Sequence, residues 1–138
     1  MAGCIFCKIA RGEMKASKVY EDEKCIAFLD ISPINKGHTL VITKKHYETV
    51  LDMPEEEGLA LAKASVKVGR AVMTATGCDG INLLHNIGKA AGQLVFHAHV
   101  HLVPRFNVDS MRFDWNRKRY EGAEEQEEYR RKVAEAGK

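Results

Sequence analysis

Residues 96–103 read Phe96-His97-Ala98-His99-Val100-His101-Leu102-Val103, a strict alternation of apolar and imidazole side chains. In an extended strand, side chains at i, i+2 and i+4 project from one face. The alternation therefore predicts a half-buried strand within residues 94–103, with His97, His99 and His101 on one side and Phe96, Ala98, Val100 and Leu102 on the other. Imidazole attacks, moves protons or binds metal near neutral pH. Three polar residues on a wet strand face would be the bland account of this pattern. Three aligned imidazoles make the strand the candidate site instead.

The rest of the chain limits what that site can serve. Its 138 residues suit one domain with a sizeable core. A formal net charge of +2 gives no electrostatic footprint for a nucleic acid polymer or a membrane surface. No apolar run approaches the ~20 residues of a membrane span. Met1-Ala2-Gly3-Cys4-Ile5-Phe6-Cys7-Lys8 has no secretory core, so a cytoplasmic location with reduced thiols is expected.

Residues 4–10 fit one short helical turn, and Val19-Tyr20 and residues 24–30 are strand-like. Ser32-Pro33-Ile34-Asn35-Lys36-Gly37 is a turn, followed by a strand over 38–43. Residues 54–76 predict the main helix, with Pro54 at its first position, Glu55, Glu56 and Glu57 at its positive end and Gly77 as its stop. Leu59, Ala62, Val66, Gly69 and Met73 form one stripe; Leu61, Ser65, Val68 and Val72 form another. So wide an arc implies packing on the sheet and on a second surface, such as another subunit. Residues 80–86 predict a further strand, and 124–136 a terminal helix. The basic cluster Arg112, Arg117, Lys118 and Arg119 reads as a solvated face. Paired strands joined by short turns argue for an α+β domain, an antiparallel sheet with helices on one side.

Between the last two strands lies Ile87-Gly88-Lys89-Ala90-Ala91-Gly92-Gln93. Gly88, Ala91 and Gly92 let the backbone approach a ligand and aim N–H groups at an anion, which places a phosphate beside imidazole. Neutral imidazole can attack phosphorus and form a covalent intermediate. The competing chemistry is a metalloenzyme that uses all three histidines as ligands. Cys4-x-x-Cys7 is half of a zinc site; its other ligands must be histidines, from His38, His46, His85 or the strand trio, with His46 well placed. Redox or merely buried cysteines are the alternative. Cys25 and Cys78 read as buried, inert thiols. Asp30, between Phe28 and Ile31, either accepts ribose hydroxyls or caps the turn at Pro33. His38 and His85 read as structural, and Trp115 as a packing residue.

Together these pieces resemble the histidine triad (HIT) superfamily, most closely its Hint-like prokaryotic branch with an N-terminal cysteine pair. The resemblance is carried by Asn86 through Val103, with His97-x-His99-x-His101-Leu102-Val103 as signature, and by Phe28-x-Asp30-Ile31-Ser32-Pro33, Gly37-His38 and Lys45-His46. It covers most of residues 4–105. It implies a single HIT domain over 1–138, with a core of about 4–105 and a C-terminal extension of about 106–138. The implied fold is an antiparallel sheet of about five strands with one long and one short helix, paired as a homodimer. It also implies a nucleotide hydrolase, a nucleoside phosphoramidase or nucleotidyl hydrolase, that takes a purine nucleotide or nucleotide conjugate. His99 would be the nucleophile that forms a nucleotidyl-histidine, and His101 would contact the phosphate and bridging atom. Asn86 would contact the ribose or leaving group, Gly92 and Val95 would line the phosphate pocket, Gln93 would be a further nucleotide-binding residue, Phe6, Ile9, Phe28 and Ile31 would form the base slot, and Asp30 would bind ribose. Structural zinc would sit on Cys4, Cys7, His46 and His97, with no organic cofactor. Leu94 stands where some Hint relatives carry a phosphate-binding serine. The alternatives are a dinucleoside polyphosphate hydrolase of the same superfamily and a zinc-stabilised, non-catalytic nucleotide-binding module.

Overall fold

The structure, a computed structural model, describes residues 3–112 and 115–138. Five strands form one antiparallel sheet: β1 (Lys18–Glu21), β2 (Cys25–Leu29), β3 (Thr39–Thr43), β4 (Gly80–Leu84) and β5 (His99–Arg105), in the order β1-β2-β3-β5-β4. The helices are α1 (Ile5–Ala10), α2 (Glu55–Thr76) and α3 (Ala123–Ala136). The α+β antiparallel architecture is as expected from the sequence.

The placement of the helices is not. β2, β3 and β5 lie inside the sheet, so both of their faces need cover. Cys25, Ala27, Val41, Val100 and Leu102 face Leu61, Ala64, Val68 and Val72 of α2. The alternate residues Ile26, Phe28, Leu40 and Ile42 pack with Phe6 of α1 on the opposite side. The sheet is therefore covered on both faces. Because side chains alternate along β5, Val100 and Leu102 go to α2 while His99 and His101 go to the α1 side.

α2 follows the sequence signals closely. Pro54 is its N-cap, one residue outside the expected first turn, because its ψ of 150° is extended. Gly77 closes the helix at φ 62°, donating its N–H to the Met73 carbonyl. The Leu61 stripe is buried on the sheet, whereas Leu59, Val66 and Met73 are 64%, 48% and 40% exposed. Apart from the buried Gly69, the second apolar stripe thus has little cover among the described residues.

β5 begins at His99, later than the alternation predicted. The Ala98 N–H donates to the Tyr47 carbonyl at 2.7 Å, away from the ladder. The His97 ring takes the Thr43 carbonyl at 2.8 Å, the acceptor a longer ladder would use. His97 therefore precedes the strand, and Phe96 is partly exposed instead of buried beside Ala98. Further on, Asp109 accepts two bonds from the Arg105 guanidinium and one from Asn35 Nδ2, which ties the 32–37 turn to the extension. Past this clamp α3 buries no residue, and Trp115 is 78% exposed, so it is not the packing residue expected.

Leu102 fills the centre of the α2-side core with no exposed surface. Leu102→Ala is expected to cost about 2–5 kcal/mol in chemical denaturation, whereas Val133→Ala on α3 should change stability by less than about 0.5 kcal/mol.

Candidate functional site

On the α1 side of the sheet lies a cavity of about 460 Å³. Ile5, Phe6 and Ile9 come from α1, Phe28 from β2, and Asp30 and Ile31 from the loop after β2. His99 and His101 project from β5, and Asn86, Gly92, Leu94 and Val95 come from the connection before it. Gly88 and Gly92 hold that connection in place at φ 85° and 94°, conformations that side chains with a Cβ rarely adopt. Gln93 does not line the cavity. It is buried behind the loop, where its Oε1 accepts the Gly88 N–H and its Nε2 donates to the carbonyls of Glu48 and Val95. Its role is to staple the connection.

Hydrogen-bond partners fix the ring tautomers. His99 Nδ1 lies 2.7 Å from the His97 carbonyl, which can only accept, so Nδ1 carries the proton and Nε2 the lone pair. The Ile34 N–H donates to His38 Nδ1 at 3.1 Å, so the proton of His38 sits on Nε2. That Nε2 donates to His101 Nδ1 at 2.9 Å, leaving His101 with an Nε2–H. The two cavity imidazoles thus differ: His99 offers a lone pair and His101 a proton. His38, read from the sequence as structural, is the residue that sets the His101 half of this difference. Its local signal was the turn preceding it, whose Ile34 N–H needs an acceptor.

Asp30 is a turn cap that also lies beside His38. Its Oδ1 accepts the Ser32 N–H at 2.8 Å as a turn cap, while Oδ2 lies 3.6 Å from His38 Nε2. Burial is the main cause that lowers the pKa of His38, His99 and His101 below the ordinary 6.5, and Asp30 opposes it. His101, also flanked by His99 and His38, is pushed down to about 4. The cluster is neutral at pH 7.

Behind it, Cys4, Cys7, His46 and His97 bring one donor atom each to within 4.8 Å of one another. Cys4 Sγ lies 3.4 Å and Cys7 Sγ 3.5 Å from His97 Nδ1, and Cys7 Sγ lies 3.3 Å from His46 Nδ1. Such spacings suit the edges of a tetrahedron of thiolate and imidazole ligands. His97 Nε2 donates to the Thr43 carbonyl, so its Nδ1 presents a lone pair to the thiols, as a metal-ligating histidine would. Burial, then the neighbouring Cys4 sulfur, raise the Cys7 thiol; a bound cation reverses both effects by taking the thiolate. The four residues fit a metal ion. Cys25 is fully buried and its thiol is pushed up to about 12, as an inert cysteine should be, whereas Cys78 is only partly buried.

The HIT domain family model matches residues 11–108. An uncharacterised HIT-like protein of Methanocaldococcus jannaschii is 52% identical over 106 residues, 77% of this chain and 81% of its own length. Adenylylsulfatase HINT3 of Arabidopsis thaliana is 44% identical over 108 residues, 78% of this chain and 55% of its own. Among solved structures, a HIT family protein from Bacillus anthracis superposes with a TM-score of 0.90 at 40% identity, covering 97% of this chain and 96% of that one. A Zn-bound histidine triad family protein from Mycobacterium smegmatis gives 0.76 at 38%, covering 99% and 96%. A hypothetical histidine triad nucleotide-binding protein from Sulfolobus tokodaii gives 0.74 at 39%, covering 96% and 90%.

The tautomer chain has a direct spectroscopic consequence. Histidine nitrogen NMR at pH 7 should show His101 as the neutral Nε2–H form, with a protonation midpoint well below 6.5. A midpoint at or above 6.5 would contradict the buried chain.

Proposed function

The chain belongs to the HIT domain family, and from that membership we propose that it is a nucleotide-binding hydrolase acting through a covalent nucleotidyl-His99 intermediate. The observation that carries the reading is the His99 tautomer. Its Nδ1–H is committed to the His97 carbonyl, so an uncharged Nε2 lone pair is held ready at the wall of the cavity. Nε2 attacks the α-phosphorus of a purine nucleotide conjugate. The N–P bond forms as the bond to the leaving group breaks, and the His101 Nε2–H supplies the leaving atom with a hydrogen bond or proton. The His99 ring gains positive charge in this step, and the His97 carbonyl stabilises it more strongly than it did the neutral ring. Water then attacks phosphorus, breaks the P–N bond and releases the nucleoside monophosphate.

Phe6, Ile9, Phe28 and Ile31 give the base an apolar slot, and Asp30 lines the same cavity for the ribose hydroxyls. Asn86, Gly92 and Val95 lie on the phosphate side. Leu94, 88% exposed at the rim, offers no hydroxyl to the phosphate. Among the described lining residues Lys15 is the cation, which favours a phosphoramidate or another leaving group of low charge over a polyphosphate. Names of similar proteins, an adenylylsulfatase and a nucleotide-binding protein, agree with a nucleotide substrate. Zinc is the metal proposed for Cys4, Cys7, His46 and His97. Four protein donors would close its coordination and make its role structural. Among the described residues no helix is long and apolar enough to cross a membrane, and the proposed location remains the cytoplasm.

We also read the chain as a homodimer. Leu59, Val66 and Met73 are uncovered on α2, and β4 is a sheet edge with Leu83 exposed. Beside them, at the end of β4, both ring nitrogens of His85 are buried without a partner among the described residues. A second copy across this face would bury the stripe.

His99→Asn should lower turnover of adenosine phosphoramidate by about 10³-fold or more while leaving nucleotide affinity within a few-fold. Normal turnover by that variant would sink the nucleophile assignment, and binding without any turnover by the wild type would identify a non-catalytic module. Faster cleavage of diadenosine polyphosphate than of the phosphoramidate would move the substrate to that branch. In sedimentation, the wild type should run as a dimer and Val66→Asp as a monomer.

A further inference from the structure

We propose that Phe6 is a positioning residue for His99, and that through Phe6 and His97 the metal centre sets how tightly the nucleotide is held. The inference rests on the nucleotide reading of the cavity. It starts from α1, which is only six residues long and cannot be stable by itself. What keeps it in place are its anchors, and these point two ways. Cys4, its N-cap, and Cys7 turn toward His46 and His97. Ile5, Phe6 and Ile9 turn into the cavity. One helical turn therefore carries half of the metal ligands and one wall of the nucleotide slot.

Phe6 lies between the two functions. Its ring is 5% exposed and meets three rings edge-on: His97 with centroids 5.9 Å apart, Phe28 at 5.5 Å and His99 at 5.1 Å. The metal ligand His97 and the nucleophile His99 thus share one aromatic spacer. A second route runs through the backbone, because the residue whose ring faces the thiols is also the one whose carbonyl orients His99. Without the metal, Cys4, Cys7 and His97 lose their common tie, so α1, Phe6 and the orientation of His99 loosen together. A nucleotide against Phe6 and Ile9 holds α1 down and so holds the thiols in place. Binding linkage is reciprocal: whatever factor the metal adds to nucleotide affinity, the nucleotide adds to metal affinity.

The test uses zinc-loaded full-length protein mixed with excess colorimetric chelator, with and without saturating adenosine monophosphate. Zinc loss should slow by about tenfold when the nucleotide is bound. Phe6→Leu, which keeps the slot apolar but removes the ring edge, should bind adenosine monophosphate more weakly and, even at saturating nucleotide, show less than about threefold protection; Phe6→Tyr should restore it. Protection that persists in Phe6→Leu would mean the nucleotide merely blocks the chelator, and would overturn the coupling, as would zinc loss indifferent to saturating nucleotide. Calorimetry provides the reverse measurement: demetallated protein that remains folded should bind adenosine monophosphate about tenfold more weakly. Equal affinity there also overturns the coupling. Failure of the zinc-loaded protein to bind the nucleotide at all would overturn the proposed function as well, so the two readings fail separately.

Discussion

The site depends on the way His97 distributes its polar groups. Its Nε2–H is fixed by the Thr43 carbonyl, its Nδ1 faces two thiols, and its own carbonyl holds the Nδ1–H of His99. One residue thereby joins the end of β3, the N-terminal helix and the candidate nucleophile. It is fully buried, so each of those bonds forms where water does not compete. The same commitments explain why the strand starts only at His99, well inside the expected range of 94–103. A residue engaged in this way has left the ladder.

Much of this was legible in the sequence because alternation and turn chemistry are local. The long helix, its Gly77 stop, the strand pairs and the two contrasting stripes of α2 all follow from side-chain periodicity and a few punctuating residues. The metal cluster was only half legible. Cys4 and Cys7 announce themselves by spacing, but His46 and His97 reach them across 39 and 93 residues of chain, and several histidines could have done so on residue type alone. The resemblance to the histidine triad superfamily selected the four that the structure brings together.

What stayed hidden depended on three-dimensional neighbours. His38 looked like a lone histidine at a strand end, and only the register of β3 against β5 brings it to His101. Gln93 sits inside the motif, yet its side chain turns backward to brace the loop. Trp115, expected to be a packing residue, is exposed instead, and among the described residues beyond the Arg105–Asp109 clamp none joins either core cluster. In each case the residue type was informative and its direction was not.

The uncharged histidine cluster has a consequence for selectivity among cellular anions. A pocket lined with protonated imidazoles would concentrate chloride, bicarbonate and inorganic phosphate, and would stand partly filled with them. Here burial keeps the rings neutral, so a bare anion gains little from entering. Occupancy has to be won by the flat, greasy and hydroxylated parts of the incoming molecule. Inorganic phosphate, which has none of those parts, is therefore expected to be a poor competitor for the cavity.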